Sequence, residues 1–119
     1  MLKELTILSQ ASALARHATM RHQVVAENIA NADTPGYRAK AMPSFDAKLA
    51  EDAENGSLIA ARRLTEPVMM PTKQASPNGN TVALEEQMAE SIDAQGQHQA
   101  ALAIYRKTIE LLRLSVSTR

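Results

Sequence analysis

Cysteine is absent from the 119 residues. Disulfides, thiolate zinc sites and cysteine nucleophiles are therefore excluded. Net charge is absent too, because 13 Lys and Arg balance 13 Asp and Glu. A dedicated nucleic-acid binder usually shows a basic excess, so no nucleic-acid partner is expected. No run of 18 apolar residues occurs, which leaves no candidate for a spanning helix. The opening MLKELTILSQASALARH is apolar but broken by Glu4, Ser9 and Gln10, so it lacks the continuous apolar region of a cleavable secretory signal. Aromatics are scarce, only Tyr37, Phe45 and Tyr105. Large aromatics supply much of a compact core, so the monomer is expected to have a thin one.

Alanine is what the chain has in quantity, 21 residues, and alanine-rich seams suit close helix packing. The length allows one domain, residues 1–119, with three segments. Residues 3–33 read as one long amphipathic helix. Ile7, Ala11, Leu14, Ala18, Val25 and Ile29 fall on one face, with His22 filling a gap, and no Gly or Pro interrupts them. Residues 34–80 begin with a turn. Proline at 35 drives Thr34 out of the α region, and Pro35-Gly36 suits the centre of a type II turn over Thr34–Tyr37. Asn31 and Asp33 can bond backbone groups left over at the helix end. A short helix is expected after Ser44, then a long mobile loop through Pro67, Pro71, Pro77 and Gly79. Residues 84–117 read as a second long helix. Its heptad seam would be Leu84, Met88, Ser91, Gln95, His98, Leu102, Tyr105, Ile109, Leu112 and Val116.

The expected fold is thus all-α. Two long amphipathic terminal helices pack antiparallel in coiled-coil fashion, joined by the short helix and the mobile loop. Two helices alone bury little, and small domains are marginal. The fold is therefore expected to be completed by self-association, along Ile7, Leu14 and Val25 on the first helix and Leu102, Tyr105, Ile109, Leu112 and Val116 on the second.

Candidate chemistry is weak. His17 and His22 stand five apart, roughly 140° around a helix, and share no face as metal ligands would; they read as polar residues on or beside the seam. Glu85 and Glu86 suit the positive end of a helix dipole. No Gly-rich phosphate loop, nucleophile elbow or acid–base constellation appears, so no enzyme activity, cofactor, metal or small-molecule substrate is expected.

The stretch RHQVVAENIANADTPGYRAK, residues 21–40, resembles the N-terminal signature of bacterial flagellar rod and hook proteins. Asn28, Ile29, Ala30, Asn31, Thr34, Pro35, Gly36 and Tyr37 match it residue by residue. MPSFDAKL (42–49), SPNGNTVALEEQM (76–88) and the ending IYRKTIELLRLSV resemble segments of the proximal rod members. The Tyr-Glu-Ala-Asn helix ending of the sister rod protein FlgC is missing. Where those relatives carry an acidic or amide cap on the last helix, this chain has Ala83, so Thr81 or Asn80 is expected to cap instead.

The resemblance implies a structural subunit of the periplasmic rod, exported through the flagellar type III apparatus without a cleaved signal. The implied partners are itself, other rod proteins such as FlgC, the adaptor FliE, and the membrane ring and export gate beneath. The motif residues would then lock the turn and serve assembly. Another rod member, or a cytoplasmic helical adaptor binding a partner helix along the same seams, are the alternatives; cellular location separates the adaptor from a rod subunit.

Overall fold

The structure is a computed structural model, and it describes residues 2–45, 68–69, 77 and 79–117. Two long helices dominate: α1, Leu2–Ala30, and α2, Leu84–Ser117. Between them lies a minimal antiparallel ladder of β1, Lys40–Ala41, and β2, Val68–Met69. Lys40 pairs with Met69 and Ala41 with Val68. The two helices pack on each other along much of their lengths, in a molecule of 67 × 28 × 16 Å. Phe45 begins a helical turn after Ser44. The rest of the expected short helix, and most of the expected mobile loop, lie outside the described residues.

The helices run antiparallel, as their cross-bonds show. Asn28 near the end of α1 bonds Gln87 near the start of α2. Arg21 bonds both Glu90 and Gln97. The Leu14 carbonyl, further back in α1, accepts from Gln97. As one number falls the other rises.

Small residues make the contact. The buried apolar residues are Ala11, Ala18, Val24, Val25, Ala39, Ala94 and Ala101. Alanine favours helix locally and lets two backbones approach, but each side chain removes little apolar surface from water. The core is thin, as the aromatic-poor composition predicts.

The covered column of α2 differs from the expected one. Gln87, Ala94, Ala101 and Thr108 are buried, a repeat of seven. Of the expected seam, Ser91, His98, Ile109 and Leu112 are half-buried, whereas Leu84, Met88, Gln95, Leu102, Tyr105 and Val116 are exposed. Hydrophobicity misleads here because the covered column holds alanine, glutamine and threonine. The bulkier Met88, Leu102, Ile109 and Val116, with the exposed Gln95 among them, form a second column beside it. On α1, Ala11, Leu14, Ala18 and Val25 do face the partner, but Ile29 is exposed and the neighbouring Asn28 is fully buried.

Candidate assembly site

The end of α1 is built by Asn31. Its backbone N–H donates to the carbonyls of Glu27 and Asn28, and its side-chain amide donates to the Glu27 carbonyl at 2.8 Å. Carbonyls that a helix end leaves without partners are thereby satisfied. Thr34 then donates its hydroxyl to Asn31 Oδ1 at 3.1 Å. Tyr37 N–H closes onto the Thr34 carbonyl at 3.3 Å, with Gly36 at φ +74°. That is the type II pattern, whose third residue needs positive φ. Asp33 is exposed.

Asn28 is the hub beneath the turn. Its amide nitrogen donates to the Lys40 carbonyl (2.8 Å) and to Gln87 Oε1 (3.0 Å). Its oxygen accepts from Lys40 N–H (3.0 Å) and from the Tyr37 hydroxyl (3.1 Å). A buried asparagine can make four hydrogen bonds, and this one makes all four. One side chain thus ties helix α1, the turn, strand β1 and helix α2 together. Burial pushes the Tyr37 hydroxyl above its usual pKa, and the nearby Glu27 carboxylate adds to the effect. Lys40 also bonds Glu27 at 2.9 Å, and that hydrogen bond raises its pKa.

The loop before α2 docks on the same turn. Gly79 lies at φ +82°, and a Cβ there would stand 3.4 Å from the Gly36 Cα. Asn80, buried, donates to the carbonyls of Asn31 (2.8 Å) and Thr34 (2.7 Å) and accepts from Val82 N–H. Thr81 N–H donates to the Tyr37 carbonyl, and the Thr81 hydroxyl accepts from Ala39 N–H at 2.8 Å. Two motifs some 40 residues apart in sequence are therefore the two halves of one clasp. This corrects the capping expectation. Ala83 supplies the carbonyl that accepts Gln87 N–H at the helix start, while Thr81 and Asn80 spend their side chains on the turn and on Val82.

Farther along the helix pair runs a polar ladder. Arg21 donates to Glu90 Oε2 (2.9 Å) and to Gln97 Oε1 (2.6 Å). Gln97 Nε2 donates to the Leu14 carbonyl and to His17 Nδ1 (2.8 Å). His17 Nε2 lies 2.6 Å from the Pro43 carbonyl, an acceptor only, which places the ring proton on Nε2. The ring also packs against Phe45, centroids 5.6 Å apart. A cavity of about 310 Å³ beside this ladder is lined by Leu14, Met42, Phe45 and the ladder's own side chains. His17 is thus a buried structural residue beside the helix seam, where its spacing from His22 places it in preference to a metal site. Among the described residues, no group of three His, Asp or Glu comes together as a metal site would need.

The named seam residues fall into two sets. Val25 is buried and Leu14 half-buried between the helices, while Ile7 is exposed. Leu102, Tyr105 and Val116 are exposed, Val116 by 63 %. Ile109 and Leu112 are half-buried and line, with Arg113, Val116 and Ser117, an apolar trough of about 350 Å³. The buried column of α2 stops at Thr108. In the last turns Leu111, Leu114 and Val116 are exposed.

Residues 7–38 match the family model described as flagella basal body rod protein. The match makes this segment similar to flagellar basal-body rod proteins. It covers about a quarter of the chain: most of α1, the Asn28 hub, and the Thr34–Tyr37 turn. The other half of the clasp, Gly79 to Thr81, and all of α2 lie beyond it. No curated protein matches the chain. The clasp joins the end of α1 to the start of α2 without a large core, and leaves the outer face of α2 uncovered.

Proposed function

We propose that the chain is a structural subunit of the proximal rod, similar to FlgB, that self-assembles through its terminal helices and helps transmit torque. The observation that carries this reading is the second column on α2, apolar except at the exposed Gln95. Met88, Leu102 and Val116 are exposed by 62, 37 and 63 % on that column, beside a seam already occupied by α1. Such a column is the side of a coiled coil that a further helix fills. Exposed apolar surface of this kind marks an interaction site, and the rod-family match makes neighbouring subunits the natural occupants.

On this reading the partners are other copies, other rod proteins such as FlgC, the FliE adaptor, and the ring and export gate beneath. The thin alanine core suits export in an unfolded state, without a cleaved signal, because little packing has to be undone. Asn28, Asn31, Thr34, Gly36 and Tyr37 lock the turn that takes the chain out of the helix pair. Ile29 and Ala30, exposed beside them, face outward for assembly.

The test is replacement of Leu102 and Val116 by Asp in the bacterium that carries the gene. Rods should be missing from purified basal bodies and motility lost, while the purified variant keeps its helix content. Intact rods containing the variant would refute the assembly role. A chain found only in the cytosol, with motility unaffected by its deletion, would instead favour a helical adaptor.

A further inference from the structure

The alanine seam between the helices repeats every seven residues on both sides: Ala11 and Ala18 on α1, Ala94 and Ala101 on α2. The cross-bonds at Arg21, His17 and Leu14 set Ala18 level with Ala94 and Ala11 with Ala101. Sliding α2 by seven residues, about 10.5 Å at 1.5 Å per residue, would set Ala18 level with Ala101. Small residues would still meet small residues. Apolar burial is non-directional, so the seam alone does not choose between the two registers.

The polar groups do choose. In the slipped register Asn28 would meet Ala94 in place of Gln87, and one donor of a fully buried amide would lose its acceptor. His17 Nδ1 and the Leu14 carbonyl would meet Ile104 in place of Gln97. Orphaned buried polar groups are costly, and a single buried asparagine can fix the register of a coiled coil. We infer that Asn28, Gln87 and Gln97 are register-setting residues along the helix pair, which act with the Asn80 and Thr81 bonds to the turn to hold an alanine seam of seven-residue repeat in one of its two alignments.

The register also fixes how far α2 projects past the start of α1, and so where Leu111, Leu114 and Val116 are presented. A seven-residue slip moves that overhang by about two helical turns. This last step rests on the assembly reading; the register itself does not, and the experiment reads the register in the isolated chain.

Because the chain has no cysteine, introduced pairs report alone. Ala18→Cys with Ala94→Cys reports the native alignment, and Ala18→Cys with Ala101→Cys the slipped one. Each is treated with a short thiol cross-linker on monomer isolated by gel filtration. In the parent background the native pair closes and the slipped pair does not. Adding Asn28→Leu with Gln87→Leu should speed closure of the slipped pair roughly tenfold, the effect of losing one buried hydrogen-bonding pin. Slipped-pair closure as slow as in the parent, with helix content retained, would overturn the inference. Should that variant lose its helices, Gln97→Leu alone is read the same way. Faster closure of the slipped pair then supports the inference, and unchanged closure overturns it.

Discussion

Truncating Asn28 to alanine removes a side chain that makes four hydrogen bonds from a fully buried position. The largest loss is at Gln87 Oε1, which is buried with its residue and would be left without a donor, at about 1–3 kcal/mol. Tyr37 and Lys40 are half-buried. Water can reach their orphaned groups in part, so each of those three lost bonds costs roughly 0.5–1 kcal/mol. The sum is about 4 kcal/mol, a large part of the roughly 5–15 kcal/mol that holds a domain together. Urea unfolding followed by circular dichroism on the purified chain measures it. At a slope of about 2 kcal/mol/M the midpoint falls by roughly 2 M. Asn31→Ala is the matched control. Asn31 is half-buried, and its side chain makes two solvent-accessible hydrogen bonds, to the Glu27 carbonyl and from the Thr34 hydroxyl, so its loss is about 1–2 kcal/mol. An Asn28→Ala loss no larger than that of Asn31→Ala would refute the hub.

The glycines give opposite signs. Gly79→Ala places a Cβ at φ +82° against the Gly36 backbone and should destabilise the chain by about 1 kcal/mol. Gly96→Ala, in the middle of α2 with open space around its Cβ, should stabilise it by about 1 kcal/mol; thermal melts separate the two. Ala101→Leu should cost about 1–3 kcal/mol by overpacking the close seam, whereas Met88→Ala on the outer column, 62 % exposed, should leave the isolated chain nearly unchanged. The raised Tyr37 and Lys40 groups both favour the protonated fold. The Tyr37 hydroxyl bond to Asn28 should therefore persist below about pH 10 and be lost as pH rises through the folded Tyr37 value, while the exposed Lys40–Glu27 pair adds little. Tyrosinate absorbance of a Tyr105→Phe chain should show Tyr37 ionising above the ordinary tyrosine value, and ionisation at that ordinary value would contradict its burial.

The sequence makes the two helices and the turn legible, because their determinants are local. Uninterrupted periodicity marks each helix, and Pro35-Gly36 marks the stop with its positive φ. The hub was less visible. Asn28 stands beside Ile29, and hydrophobicity assigns the buried position to Ile29, whereas satisfaction of four polar partners puts Asn28 there. The α2 seam failed for a related reason. Gln87, Ala94, Ala101 and Thr108 carry little hydrophobic signal, yet small size and hydrogen bonding decide which face a neighbouring helix can approach. Docking of Asn80 and Thr81 onto the turn is a long-range event, and no periodicity announces it. The family motif did contain Asn28 and Tyr37, but a motif gives their presence and not the bond between them.

Rod assembly through the outer column of α2 is tested most directly by a density map of purified basal bodies from the organism that makes this chain. The antiparallel α1–α2 pair should be found in the proximal rod, with Met88, Leu102, Ile109 and Val116 covered by a helix of a neighbouring subunit. A map that places the chain elsewhere, or that leaves this column facing solvent, would contradict it.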